Sequence, residues 1–281
     1  MSDMDLSKVV SLKFVTVVHF VEWIAEALLG LKHLRINAGL QVTITGAASG
    51  IGRATAKLLA AKGYTVSIAD RNSEGLDETF KSLREAGVPH RVKHLATTVD
   101  VTDSHQVNAW VNQTLQEYGR IDAAANIAGI LYDDNLLKDE TDERFTRTMN
   151  VNVNGVFYCL RAQMNAMKDG SSIVNVASVA AHRGMSLVGA YSASKHAVLG
   201  LTRSAAREAP GIRINAISPG RTTTPMTDTG DPVWGDGLTS QQIMVRMAAP
   251  IEIAKVIAFL LSDDASFVTG ATYMVDGGWC A

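Results

Sequence analysis

Cysteine is nearly absent. Of 281 residues only Cys159 and Cys280 are of this type. Two are too few for a disulfide framework, and neither is spaced with a histidine as metal ligands would be. The scarcity fits a reducing compartment, so a cytoplasmic location is expected. The seven histidines are scattered, and neither H-E-x-x-H nor C-x-x-C occurs; no metal site is expected. A basic excess is missing too. Lys and Arg number 26 against 28 Asp and Glu, a formal net charge of −2, which gives a nucleic-acid partner no compositional support. No internal repeat is found. No uncharged run long enough to cross a membrane is found either. The apolar stretch Phe14 to Leu31 is interrupted by Thr16, His19, Glu22 and Glu26, a polar stripe along one side of a helix. Two carboxylates at its centre argue against a transmembrane span, and its flanks are wrong for a secretory signal. Residues 1–38 are expected to be an extension whose apolar helix packs on the body of the protein or on a sister subunit. A membrane-surface helix and a disordered extension are the alternatives.

What is present is a chain 47% hydrophobic, long enough for one large core over residues 39–281. Strand and helix patterns alternate along it. Strands are expected at Leu40–Thr45, Tyr64–Ala69, His94–Val99, Ile121–Ala125, Ser172–Ala177, Gly211–Ile217 and Ala271–Val275. Helices are expected at Arg53–Lys62, Glu74–Ala86, Ser104–Tyr118, Asp142–Lys168, Ala190–Glu208 and Ile251–Leu261. This alternation predicts an α/β fold: one doubly wound Rossmann-type domain whose seven-stranded, mostly parallel sheet has helices on both faces. Residues 221–250 are rich in Thr, Gly, Asp and Pro, with at most a short helix over Gln241–Met247. So long a connection in a compact domain reads as a lid.

The first strand runs into Thr45-Gly46-Ala47-Ala48-Ser49-Gly50-Ile51-Gly52 and then a helix. Glycines let the backbone approach a pyrophosphate, and free N–H groups at a helix start favour an anion. Gly46, Ser49, Gly50, Ile51 and Gly52 are therefore candidate cofactor contacts. Asp70 ends the second strand, 24 residues beyond Gly46, close to the separation of about 20 expected of a ribose-binding acid. A carboxylate there accepts from ribose hydroxyls and repels a 2′-phosphate, favouring NAD over NADP; Arg71 could partly offset that repulsion. Asp100 and Val101 are placed where an adenine could rest. In Asn126-Ile127-Ala128-Gly129 the small residues would let a cofactor lie flat over a strand end, with Asn126, Ala128 and Gly129 as contacts.

Tyr191 and Lys195 stand four apart in a helical pattern, one turn apart on one face. A free phenol titrates near pH 10. A nearby ammonium is expected to lower that value and make Tyr191 a proton donor and acceptor. Ser178 follows a buried strand and can present its hydroxyl beside that helix. Of Asn150, Asn152 and Asn154, only one or two can share a face.

Taken together, the Thr45–Gly52 turn, Asp100, Asn126–Gly129, Asn152 with Gly155, Ser178, Tyr191 with Lys195, and Pro219-Gly220 with Thr224 resemble the classical short-chain dehydrogenase/reductase family in content and order, over about Leu40 to Trp279. The resemblance implies an NAD(P)-dependent oxidoreductase interconverting an alcohol and a ketone. It implies Tyr191 as general acid/base and Lys195 as the group that lowers its pKa and binds the nicotinamide ribose. Ser178 would orient the substrate oxygen, and Asn152 would hold a water linking Lys195 to solvent. Pro219, Gly220, Thr222 and Thr224 would complete the cofactor site. Ile127 stands where the family usually has a second asparagine, and Thr222 where an aliphatic residue is common. A homo-oligomer, tetramer or dimer, is also implied. Val179, His182, Met185, Met226, Trp234 and Met244 are candidate pocket positions. Being mostly apolar, they point to a hydrophobic small-molecule substrate such as a terpenoid, polyketide or steroid-like alcohol. Two other functions stay open. One is redox-neutral chemistry on the same fold (isomerase, dehydratase or cyclase). The other is a dinucleotide-sensing regulator.

Overall fold

A computed structural model describes residues 39–85, 93–132, 135–227 and 242–281. The expectations for the N-terminal helix, for Trp234 and for the middle of the lid lie outside these residues.

Seven strands form one sheet. They are β1 (Gln41–Thr45), β2 (Thr65–Asp70), β3 (Leu95–Thr98), β4 (Ala123–Asn126), β5 (Ser172–Val176), β6 (Arg213–Pro219) and β7 (Thr272–Val275), in spatial order β3-β2-β1-β4-β5-β6-β7. Every neighbouring pair is parallel. The chain leaves β1 toward β2 on one side and later returns to lay β4 on the other. That reversal opens a crevice at the carboxyl ends of the strands. Strand β4 is three alanines and an asparagine, all buried. Alanine has little strand preference, so burial between β1 and β5 decides its state.

The helices are α1 (Gly50–Ala61), α2 (Ser73–Glu85), α3 (Ser104–Tyr118), α4 (Asp142–Met149), α5 (Gly155–Ala166), α6 (Gly189–Glu208) and α7 (Pro250–Leu261). Two cores flank the sheet. One joins Ala56 and Leu59 of α1, Leu76 and Leu83 of α2, and Ile253, Ile257 and Leu260 of α7 to strand residues such as Ile44 and Ile68. The other joins Val107 and Trp110 of α3, Val156 and Leu160 of α5, and Val198 and Leu199 of α6 to Ala124, Ile173 and Ile214. Local chemistry fixes several helix ends. Asp103 caps α3 by accepting from the His105 and Gln106 nitrogens at 2.8 and 3.3 Å, and Gly119 closes it in the left-handed region. Pro250 opens α7, and Glu252 accepts from the Ala249 nitrogen at 2.8 Å.

Two expectations are corrected. The helix expected over Asp142–Lys168 is α4 and α5 joined by a π-helical turn, Asn150–Asn154. Residues 242–247 form bends rather than a helix. There the Gln242 amide donates to the Met244 and Arg246 carbonyls at 3.0 and 2.8 Å, which holds the chain in a tight non-helical curl. The two described ends of the lid meet: Thr222 and Ala248 form a parallel bridge.

Candidate active site

The crevice holds about 370 Å³ and runs over the ends of β1 to β6. Its floor at one end is the turn between β1 and α1. Gly46 has φ +70°, and a methyl group there would come 2.8 Å from the Ala128 nitrogen; one on Gly52 would come 2.0 Å from the Gly46 carbonyl oxygen. Only glycine lets turn, helix and β4 approach so closely. Ser49 precedes α1 in extended conformation and makes no capping bond with its side chain, and the first turn carries no acid. The amides there are left to an anion from the crevice. Two outer side chains turn the carbonyls of the loop away. Thr79 Oγ1 donates to the Ala47 carbonyl at 2.8 Å. Arg53 Nη2 donates to the Ala48 carbonyl at 2.5 Å and pairs with Glu78 at 2.8 Å. Nothing in the sequence pattern marks Arg53 or Thr79, because their role appears only when α1 and α2 pack side by side.

Ser49, Gly50, Ile51, Asp70, Arg71, Asp100, Val101, Ala128, Gly129, Pro219, Gly220, Thr222 and Thr224 all line the crevice with the two glycines. Asp70 is already engaged: Oδ2 accepts from the Ala48 nitrogen at 3.0 Å and Oδ1 from the Asn72 nitrogen at 2.9 Å. These bonds fix the carboxylate at the strand end with lone pairs to spare. Asn126 does not line the crevice. It lies in register with Asn175 of β5, and its side chain turns into the core. Its amide donates to Gln163 Oε1 and Asn175 Oδ1, both at 2.9 Å, and Gln163 Nε2 donates back to Asn126 Oδ1 at 2.9 Å. A buried amide takes the partners that satisfy it, and here they lie beneath the site.

At the other end Ser178, Tyr191 and Lys195 come together. Ser178 stands just past β5 and accepts from the Ala180 nitrogen at 3.2 Å. Tyr191 and Lys195 ride on the first turns of α6, with Nζ 5.5 Å from the phenol ring centre. Lys195 is buried, and Nζ donates to the Val176 carbonyl at 2.9 Å. Burial pushes this ammonium down from 10.5 to about 8. The phenol behaves differently from the sequence expectation. Burial raises the Tyr191 pKa above its ordinary value, and the hydrogen bond with Ser178 pulls it back part of the way. Lys195, titrating near 8, has already lost its charge by the pH at which a phenol raised above 10 ionises, so it does not offset the burial.

Asn152 is fully buried in the π-helical turn. Oδ1 accepts from the Ile130 nitrogen at 2.8 Å, and the amide donates to the Ile130 carbonyl at 2.9 Å and to Ser194 Oγ at 3.0 Å. Ser194 in turn donates to the Tyr191 carbonyl at 2.7 Å. An amide oxygen has two lone pairs, so Oδ1 can accept a second bond beside that from Ile130. A methyl on Gly129 would meet Asn152 Oδ1 at 3.2 Å and Lys195 Nζ at 3.4 Å, so both groups border the space that this glycine leaves.

Of the apolar candidates, Val179, Met185 and Met226 line the crevice. His182 instead pairs with Ser218 Oγ at 2.8 Å. Met244 is exposed and packs against Gly277.

Comparison with known proteins identifies the family. A family model described as enoyl-(acyl carrier protein) reductase matches residues 46–280. A short-chain dehydrogenase/reductase of Pyricularia oryzae is 38% identical over 260 residues, 89% of this chain and 95% of that one. The chain belongs to the short-chain dehydrogenase/reductase family. Levodione reductase of Leifsonia aquatica is 41% identical over 252 residues, 85% of this chain and 94% of its own. A crystal structure of levodione reductase superposes with a TM-score of 0.80 at 38% identity, covering 86% and 97% of the two chains. Cyclohexanol dehydrogenase of an Acinetobacter species is 38% identical over 240 residues, 84% and 93% of the two. As a member of this family the chain is an oxidoreductase of the alcohol dehydrogenase and ketone reductase kind, and its cofactor is a nicotinamide dinucleotide. The residues present fit that cofactor. The uncapped amides at the start of α1 would suit a diphosphate, the anchored Asp70 carboxylate would suit a ribose, and small residues line the crevice with them. Among the described residues no helix is long and apolar enough to cross a membrane.

Proposed function

We propose that the protein interconverts a secondary alcohol and a ketone on a neutral, hydrophobic, ring-shaped small molecule, with NAD as the preferred dinucleotide. The observation that carries this is the meeting of Ser178, Tyr191 and Lys195 at one end of the crevice whose other end is the glycine turn and Asp70. When bound, the dinucleotide supplies or accepts the hydride. The chain supplies position and a proton. Ser178 holds the substrate oxygen beside the Tyr191 hydroxyl, which gives or takes the proton at that oxygen. Lys195 Nζ, open toward Gly129, would bond a ribose hydroxyl and carry the proton onward past Asn152 Oδ1. Asp70 would accept from the other ribose and disfavour a 2′-phosphate. The apolar positions Leu131, Val179, Met185, Val188 and Met226 support an uncharged substrate, and a relative named for cyclohexanol supports a ring alcohol. A homo-oligomer in the cytoplasm is part of the same proposal.

The test is a panel of cyclic alcohols and ketones with each dinucleotide, read at the reduced nicotinamide absorbance. Tyr191→Phe should lower turnover about 10²–10⁴-fold while the dinucleotide Kd holds. Unchanged turnover would remove Tyr191 from the chemistry. Product formed without net change in reduced dinucleotide would favour a redox-neutral reaction.

A further inference from the structure

The crevice wall opposite the glycine turn comes from two segments far apart in sequence. One is the loop after Ser178, which supplies Val179, Ala180, Met185 and Val188; the other is the turn after β7, which supplies Trp279. That turn is held closely. Asp276 Oδ1 accepts from the Gly278 nitrogen at 3.0 Å and Oδ2 from the Cys280 nitrogen at 2.9 Å. Gly277 and Gly278 take φ of 62° and 80°, so the chain reverses within two residues. A methyl on Gly220 would come 2.9 Å from Asp276 Cα, which sets the turn directly on the end of β6. Trp279 is thereby turned inward and is 6% exposed. The Arg183 guanidinium, from the first segment, lies over the indole 5.8 Å from its centre, within the range of cation–π attraction.

We propose that Trp279 sets the bulk of substrate that the crevice accepts, and that Arg183 is a positioning residue that holds the indole in place. The inference rests on the alcohol and ketone chemistry proposed above and names a specificity residue for it. An indole is the largest side chain a wall can carry, and its flat face gives the pocket a hard boundary. Arg183 belongs to the opposite segment, so its stacking on Trp279 also fixes the gap between the two. A smaller ring at 279 widens the pocket. Loss of the guanidinium loosens the wall without changing its surface.

Cyclohexanol and 4-tert-butylcyclohexanol are offered to the full chain at saturating dinucleotide, and the ratio of kcat/KM, bulky over slim, is read. Trp279→Phe should raise that ratio about tenfold, the scale at which a pocket distinguishes small differences in apolar volume. Arg183→Ala should raise it by less, and Arg183→Lys, which keeps a cation, should restore it. A second measurement needs no turnover. Adding 4-tert-butylcyclohexanone to protein loaded with oxidised NAD should alter tryptophan emission in the parent chain and not in Trp279→Phe. If alcohols are oxidised and neither the ratio nor the emission depends on Trp279, the inference falls alone. If nothing turns over yet the ketone alters Trp279 emission, the proposed reaction falls and the wall stands. If there is neither turnover nor an emission change, both fall.

Discussion

Lys195 sits in the core, where its Nζ donates to the Val176 carbonyl. Desolvation is therefore the cause of its low pKa, and this has a consequence for stability. Folded, the group titrates near 8; unfolded, near 10.5. Between those values the unfolded chain binds a proton that the folded chain does not, so stability rises with pH. The cost of burying the ammonium is fully present below pH 8 and is relieved as pH climbs toward 10.5. Lys195→Met removes the titration and keeps an unbranched side chain. Relative to that variant, the parent chain should gain about 2 kcal/mol between pH 7 and about pH 9.5 in urea unfolding. The window stops there because Tyr191, with a raised pKa, acts in the opposite sense above pH 10. A flat difference would mean that water reaches Nζ. At this scale the meeting of Ser178, Tyr191 and Lys195 in one crevice was anticipated by the family resemblance, carried by the motifs together, because the Tyr–Lys spacing alone is a weak signal. The direction of the Tyr191 shift was not, since burial is a property of packing. The same limit hid the role of Asn126, whose partners Gln163 and Asn175 come from α5 and β5.

At the scale of elements, the turn between β1 and α1 is closed by backbone-to-backbone contact. A methyl on Gly52 would lie 2.0 Å from the Gly46 carbonyl oxygen, a backbone atom that no rotamer change can move aside. Gly52→Ala should push α1 off the turn and weaken dinucleotide binding at least tenfold, measured by titration. Gly200→Ala, on α6 with nothing near its would-be Cβ, should leave the Kd unchanged. Equal effects at both positions would mean that the turn yields. Strands were readable as short apolar runs, and helices as amphipathic or apolar patterns between them. The π-helical turn at Asn150–Asn154 was not. One extra residue per turn leaves the apolar pattern of a long helix almost intact, while it moves Asn152 onto Ile130 and Ser194. The short helix considered over Gln241–Met247 is replaced by bends at 242–247, where Ile243, Met244 and Val245 are exposed and no apolar face packs to hold a helix.

For the whole molecule, alternation of strands and helices was enough to anticipate a doubly wound parallel sheet, since a parallel strand pair needs a crossover and the crossovers here are helices. It could not say that the last residues return to the crevice, because contact between Trp279 and Arg183 depends on the order of β5, β6 and β7 in the sheet. The crevice is lined by residues at the ends of strands from both halves of the sheet, so a dinucleotide bound there would stabilise the fold as a unit. At roughly a hundred times Kd the gain is about 2.7 kcal/mol, which for a domain of this size raises Tm by roughly 5–10 °C. NAD should give that shift at a lower concentration than NADP, because Asp70 is held at the strand end by the Ala48 and Asn72 nitrogens and cannot swing away from a 2′-phosphate. Asp70→Ala should bring the two titrations together by weakening NAD and relieving NADP. Curves that coincide in the parent chain would show that Arg71, beside Asp70 in the crevice, decides the preference instead.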